Sequence, residues 1–407
     1  MTTICGLSEK RVQTALAAVG QGDVDREQRG DAFARVAWNV LTEPGDRAAG
    51  LLVSALGAEE ALRLVIDRAD ANTVVDRVTS RIPGAEVSSS VVEEAYQRWM
   101  PRLNADRTLS VLQHTAGVGG RLLLPDHEFW PGGLRDLQLH APLLLWCRGE
   151  VDALRSMPRS LAMVGARAST GYGEHVTMEM AAGLVDRGIA IVSGAAYGID
   201  GMAHRAALAS DGMTLAFLAG GIDRFYPSGH DALLTRIAQQ GLILAETPCG
   251  TAPTKWRFLM RNRLIAAATP ATVVVEAGWR SGSLNTANHA ATLGRPLGAV
   301  PGPVTSASSA GCHRLLREYD AVCVTNALEA AELLGSAEPG GSRQVAAGEN
   351  LSSAALRVLD SLSARKQRTV EELAQQSGLS PRDVETGLGE LDLEQRARLG
   401  DRGWRRA

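Results

Sequence analysis

Residues 278–289 read GWRSGSLNTANH and follow the apolar run TVVVEA. Two serines flank a glycine where a strand pattern gives way to a helical one. With Ser283 capping the helix LNTANHAATLG, residues Ser281, Gly282 and Ser283 set free amides and hydroxyls at the positive end of a helix dipole. That is anion-binding chemistry; the alternative is a cap without a ligand. Just upstream, KWRFLMRNRLIAAATP supplies Lys255, Phe258, Arg261, Asn262 and Arg263. Asn262 suits a helix N-cap and Pro270 a helix end, which places Phe258 and the arginines in the loop and first turn. An aromatic ring beside guanidinium groups suits a single-stranded nucleic acid. A base stacks on the ring for ~1–3 kcal/mol while arginine holds the phosphate. The alternative for Phe258 is a plain core position. Residues i and i+2 do not share a helix face, so one of Arg261 and Arg263 is expected to pair with an internal carboxylate.

Two further turns have similar chemistry. VGARASTGYG (164–173) is neither G-x-G-x-x-G nor a P-loop. Gly165 lets the backbone approach a ligand, Arg167 projects from the strand end, and Ser169 and Thr170 can donate hydrogen bonds. This set suits a phosphate better than a whole dinucleotide, the alternative being an ordinary strand-to-helix turn. SGAAYGIDGMAHRAA (193–207) holds Gly194, and its Asp200 and His204 share a helix face. They could be an acid–base pair, metal ligands or partners in a helix-internal hydrogen bond. The last is expected, since neither a third ligand nor a nucleophile accompanies them.

The elements that must position these turns follow from periodicity. Residues 1–30 are polar and uneven and are expected to be a flexible segment. Residues 31–105 repeat apolar residues at helical spacing, as in AFARVAWNVL and AEEALRLVIDRA, and form a helical domain. From 106 to 335, short apolar runs alternate with amphipathic stretches. The runs are LLLWCRG (143–149), LAMVG (161–165), IAIVSG (189–194), TLAFLAGG (214–221), LILAE (242–246), TVVVEAG (272–278) and PLGAVPG (296–302). This predicts an α/β fold, a doubly wound, Rossmann-like parallel sheet whose ligands bind beyond the strand carboxyl ends. Residues 336–349 have linker composition. Residues 350–407 read helix, helix, helix, hairpin, the order of a winged helix.

Composition narrows the function classes. A net charge of −3 argues against a generally basic nucleic-acid binder but allows a local basic site. Of the 42 basic residues only Lys10, Lys255 and Lys366 are lysine. The five cysteines, Cys5, Cys147, Cys249, Cys312 and Cys323, form no C-x-x-C pair and read as buried free thiols, with neither a metal site nor a cofactor implied. No stretch nears the ~18 apolar residues of a spanning helix, and the first residues lack a signal-peptide pattern. A cytoplasmic protein without membrane partners is expected.

Taken in order, GARASTGYG, SGAAYGIDGMAH, AGGIDRFYP, LAETP, FLMRNRLIAA, EAGWRSGSLNTA, AVPGPV and GCHRLL resemble the DprA (Smf) family of DNA-processing proteins over roughly residues 130–320. The resemblance implies an extended Rossmann domain, a helical N-terminal domain of the SAM/HhH type and a C-terminal winged helix. It also implies a non-enzymatic protein that binds single-stranded DNA, forms a homodimer through the Rossmann domain and helps load RecA recombinase during natural transformation. The pocket residues that the resemblance implies are Arg167, Phe258, Arg261, Arg263, Ser281, Gly282 and Ser283; with Gly165, Ser169, Gly194, Lys255 and Asn262 they form the set expected to bind single-stranded DNA and its phosphates. The chain departs from the family pattern at Ala166 (commonly serine), Leu259 (proline) and His313 (asparagine), which bears on loop shape and removes no charge.

Two features lie outside that picture. The third helix of the winged domain, SPRDVETGLGELDLE, carries Asp383, Glu385, Glu390, Asp392 and Glu394 against Arg382 alone. A recognition helix in a DNA groove should be basic or neutral, so this domain is expected to contact protein or modulate the Rossmann domain. Arg402, Arg405 and Arg406 are the contrary feature. The runner-up function is a nucleoside-monophosphate glycosidase resembling the lysine-decarboxylase-like family, using the same phosphate cradle with an arginine and a glutamate, for which Glu246 or Glu276 could serve. The P-G-G-x-G-T-x-x-E stretch of that family is missing. A third reading is a protein-interaction scaffold.

Overall fold

The computed structural model describes residues 3–4, 7–22, 24–335, 352–364 and 366–407. Two compact units result, Met1–Gly335 and Ser336–Ala407. The expected linker, 336–349, lies outside the described residues.

A nine-stranded sheet frames the first unit. In chain order its strands are β1 (Arg121–Leu123), β2 (Leu145–Gly149), β3 (Ser160–Val164), β4 (Ala190–Ser193), β5 (Thr214–Leu218), β6 (Leu242–Ala245), β7 (Ala271–Val274), β8 (Leu297–Ala299) and β9 (Val322–Cys323). Across the sheet the order is β9-β8-β7-β3-β4-β5-β6-β2-β1. Strands β3 to β9 are parallel. The run 143–149, expected within the parallel set, instead lies antiparallel to β6, with β1 antiparallel beyond it. An apolar run carries no direction, so its sense is invisible in its pattern. The order reverses at β3, with β4 to β6 on one side and β7 to β9 on the other. The crevice between β3 and β7 is therefore the switch point where such sheets bind ligands.

Helices cover both faces. On one, α8 (Gly171–Val185), α9 (Ile199–Ala209) and α14 (Ala327–Glu332) bury Met180, Leu184, Ile199, Ala203 and Ala330 against Met163, Ile191 and Val273. On the other, α11 (Lys255–Ala268), α12 (Ser283–Thr292) and α13 (Ala310–Glu318) pack Leu264, Ile265, Ala287 and Cys312 against Val164, Val192 and Val274. Helix α11 is buried all round from Arg261 to Ala268; residues 264–268 are apolar on every side, as such burial requires, and Arg261, Asn262 and Arg263 are buried polar groups that must find partners.

The N-terminal helices extend the same unit. Helices α1 (Glu9–Ala17), α2 (Arg26–Leu41) and α7 (Ala105–Gly117) join α10 (Asp231–Gln240) over β5, β6 and β2, through Leu16, Phe33, Leu112 and Leu234. Helices α3 (Arg47–Leu56), α4 (Ala58–Ile66), α5 (Ala71–Arg81) and α6 (Ser89–Trp99) form a separate core with α2. At its centre Trp38 and Trp99 meet edge-on at 4.9 Å. The segment 1–30, expected to be loose, contains α1, and Val12, Leu16 and Val19 are fully buried. Their helical spacing is a one-sided apolar stripe that the surrounding polar residues mask. Cys147, Cys249 and Cys312 are buried, whereas Cys323 on the edge strand is exposed. No helix among the described residues is long and apolar enough to cross a membrane.

The second unit has the winged-helix order. Helices α15 (Ser353–Ser361), α16 (Val370–Ser377) and α17 (Pro381–Leu393) precede a hairpin of β10 (Ala397–Gly400) and β11 (Gly403–Arg406). Its core is Val358, Leu359, Leu373, Val384, Leu388 and Leu391.

Candidate nucleic-acid interface

A groove of about 1010 Å³ opens at the switch point between β3 and β7. Its walls are the turn after β3, the first half of α11 and the turn between β7 and α12. Of the candidates, Gly165, Arg167, Lys255, Phe258, Arg261, Asn262, Ser281, Gly282 and Ser283 line it together. Arg263, Gly194 and Ser169 do not.

The floor is built from glycine, aspartate and arginine. Gly165 and Gly194 directly follow β3 and β4, and their amides donate to Asp200 Oδ1 and Oδ2 at 3.4 and 3.2 Å. The Arg261 guanidinium lies against Gly194, donating from Nη1 to the carbonyls of Gly194 and Phe217 at 2.6 and 2.5 Å. A Cβ on Gly194 would fall 2.1 Å from that Nη1. Gly194 thus serves by making room for Arg261. Asp200 is 6% exposed. Burial raises its pKa, opposed by the Arg261 charge and by the amides of Gly165, Ala196 and Gly194. Burial likewise lowers Arg261 to about 10, opposed by Asp200 and reinforced by Arg167.

Above this floor lies the Phe258 ring, half-buried, with the Arg167 guanidinium over it at 4.7 Å and that of Arg261 at 5.8 Å. Tyr226 meets it at 5.6 Å between centroids and is 48% exposed. Arg167, Lys255 and Arg280 are exposed on the walls, and none has a carboxylate within ion-pair distance among the described residues. Among the described residues, Asp200 is the only carboxylate lining the groove. The site therefore combines a stacking surface with uncompensated positive charge.

The third wall differs in detail from the expectation. Ser283 is the first helical residue of α12, and Gly282 is the N-cap. The Ser281 and Ser283 hydroxyls bond each other at 2.7 Å, and the Ser283 and Leu284 amides turn back to Ser281. The helix dipole remains, but these amides are already engaged. Asn262 is likewise no N-cap. Helix α11 starts earlier, capped by Thr254, whose side chain accepts from the Arg257 amide at 3.3 Å. Asn262 sits mid-helix and donates to the Gly282 carbonyl at 3.3 Å and to Asn285 Oδ1 at 3.2 Å, tying α11 to the α12 turn. The Pro-Thr pair before Lys255 was the legible start signal.

The remaining candidates serve the frame. Arg263 turns away from the groove and binds both Glu246 oxygens at 2.7 and 2.6 Å, the internal pair expected of one R-N-R arginine. Ser169 donates to Glu174 at 2.9 Å. Glu276 accepts from the Thr170 amide and hydroxyl at 2.9 and 2.8 Å. Both glutamates of the glycosidase reading are thus held by hydrogen bonds, and neither lines the groove. Sequence reasoning missed Arg280 and Asn285, although both stand within GWRSGSLNTANH, and Tyr226 in AGGIDRFYP.

Asp200 and His204 do not pair. Asp200 faces the glycine turns, while His204 Nδ1 lies 2.7 Å from Thr214 Oγ1. Burial lowers His204 to about 3, helped by the charges of His230, Arg261 and Arg205. Its neutral form stabilises the fold above the usual histidine pKa, and that stability is lost as pH falls from 6.5 toward 3. His204→Gln should lose about 2 kcal/mol less than the wild type between about pH 7 and pH 5, read from urea unfolding at each pH.

The sequence model of the family described as DNA recombination-mediator protein A matches residues 121–335, the sheet and all three groove walls. The chain belongs to this family. The DprA winged-helix model matches residues 342–399. Similar DprA proteins include a putative DNA processing protein of Mycobacterium tuberculosis, 47% identical over 328 residues that cover 77% of this chain and 84% of the relative. The DNA processing protein DprA of Bacillus subtilis is 35% identical over 233 residues, 57% of this chain and 76% of the relative. The X-ray structure of DprA from Streptococcus pneumoniae superposes with a TM-score of 0.57 at 29% identity, over 74% of this chain and 96% of that one.

Proposed function

We propose that the groove binds single-stranded DNA by stacking and phosphate contact, without catalysis, and that the protein helps load RecA recombinase on the strand in recombination and natural transformation. The observation that carries this reading is the half-exposed Phe258 ring with Arg167 over it, between walls bearing Lys255 and Arg280. A strand with free bases can stack on the ring while its backbone meets the cations. A duplex keeps its bases stacked inside and offers only phosphates. Membership of a DNA-processing family supports DNA as the polymer. A homodimer through the Rossmann-like domain and a cytoplasmic location complete the proposal.

The test is fluorescence anisotropy of a labelled oligothymidylate across a salt series, with a duplex of equal length as control. The strand should bind well above the duplex, with a log–log salt slope of about −0.7 for each phosphate contacted. Phe258→Ala should weaken binding by about 5- to 150-fold, the equivalent of ~1–3 kcal/mol of stacking. Absence of wild-type binding at low salt overturns the reading. Release of adenine from AMP would overturn its non-enzymatic part.

A further inference from the structure

The winged-helix unit separates its charges. Helix α17 and its flanks bear the acidic residues noted above. Residues 396–407 carry Arg396, Arg398, Arg402, Arg405 and Arg406 against Asp401 alone. In the hairpin, Arg398 stands directly opposite Arg405, so the two side chains share one face. The neighbouring pairs, Ala397 with Arg406 and Leu399 with Trp404, belong to the other face. There Ala397 is fully buried and Trp404 packs on the core. Arg398 and Arg405 therefore face outward, and both are exposed.

Like charges directly opposite one another destabilise a strand pair. Nothing among the described residues of the unit relieves this. Among the described residues, no carboxylate comes within ion-pair distance of Arg398, Arg402, Arg405 or Arg406. Glu390 on α17 instead accepts from the Ser352 amide and hydroxyl at 2.8 and 2.6 Å. An anion lying across the two guanidinium groups would relieve the repulsion, and the planar fork of arginine suits a phosphate.

We infer that the outward face of this hairpin, centred on Arg398 and Arg405, is a second contact for the phosphate backbone of nucleic acid, with acidic α17 kept off the polymer. The inference rests on the proposed function for the identity of the polymer. It assigns the wing, in place of the recognition helix, as the nucleic-acid element of the domain.

The test compares the full-length wild type, Arg398→Ala/Arg405→Ala and the groove variant Arg167→Ala/Lys255→Ala. Each is titrated on oligothymidylate and on duplex across a salt series. The wing variant should lose about 1.4 from the slope on the single strand, or about 1.8 on the duplex if that is its ligand, the two losses distinguishing the sources. Its melting temperature should not fall, because a repulsive pair has been removed. An unchanged slope on both polymers overturns the wing assignment and points to an acidic protein surface; if the groove variant is weakened in that case, the groove reading stands. A groove variant that binds like the wild type, beside a weakened wing variant, overturns the groove reading and leaves the wing. A wild type that binds neither polymer overturns both.

Discussion

Arg261→Ala is expected to lose on the order of 3–5 kcal/mol of stability and to abolish strand binding. The guanidinium holds two backbone carbonyls, Gly194 and Phe217, that would lose their donor. It also faces the buried Asp200 carboxylate, whose charge it offsets. Without it Asp200 should take up a proton more readily. A carboxyl whose folded-state pKa is raised gains stability on protonation relative to the unfolded chain, and loses it as pH rises through the folded value. The deficit of Arg261→Ala should therefore shrink as the pH is lowered from about 7 to about 5. Adding Asp200→Asn removes the uncompensated charge. The double variant should be more stable than the sum of the single changes by at least about 1 kcal/mol, with binding still lost. Urea unfolding of the four proteins measures the coupling, and anisotropy reads the affinity. Strict additivity would mean that Arg261 and Asp200 do not act as a unit.

The parts of this site that could be read beforehand are those with a local signature. Apolar runs ending in glycine gave the central strands, because a buried parallel strand is apolar on both faces. Their crevice followed from the alternation of strand and helix. Antiparallel β2 was misplaced because direction leaves no mark on composition. Strand β9 escaped because Val322 and Cys323 are both exposed and too few to form a run. Asparagine favours caps, which points to a cap at Asn262, yet its amide bonds the neighbouring helix turn, a tertiary contact that outweighs the local preference. Gly194, expected among the phosphate-binding residues, does not line the groove, and its role as the space that admits Arg261 depends on residues far apart in sequence. Arg280 has no local signature, since one more arginine in a chain with 39 of them carries little information. Only its exposure beside the groove sets it apart.

The neighbouring arginine should behave in the opposite way. Arg263→Ala is expected to lose about 3–5 kcal/mol of stability while leaving single-strand affinity within about twofold of the wild type in the protein that remains folded. Its side chain is 3% exposed and that of Glu246 7%. Glu246 also accepts from the Gly45 amide at 3.2 Å, and its carbonyl accepts from Asn39 at 2.7 Å. The pair thus joins α11 to the end of β6 and to the helical layer that includes α2. Removing one partner leaves a buried, unpaired charge. Removing both, as in Arg263→Met/Glu246→Leu, replaces the pair with apolar packing and should recover most of the loss. Arg263 Nε and Nη1 are buried without hydrogen-bond partners, which favours the apolar replacement further. Anisotropy across salt separates this from a DNA role. A frame residue leaves the log–log slope unchanged, whereas a phosphate contact removes about 0.7 from it. A slope loss of that size in Arg263→Ala would move Arg263 from the frame into the groove chemistry.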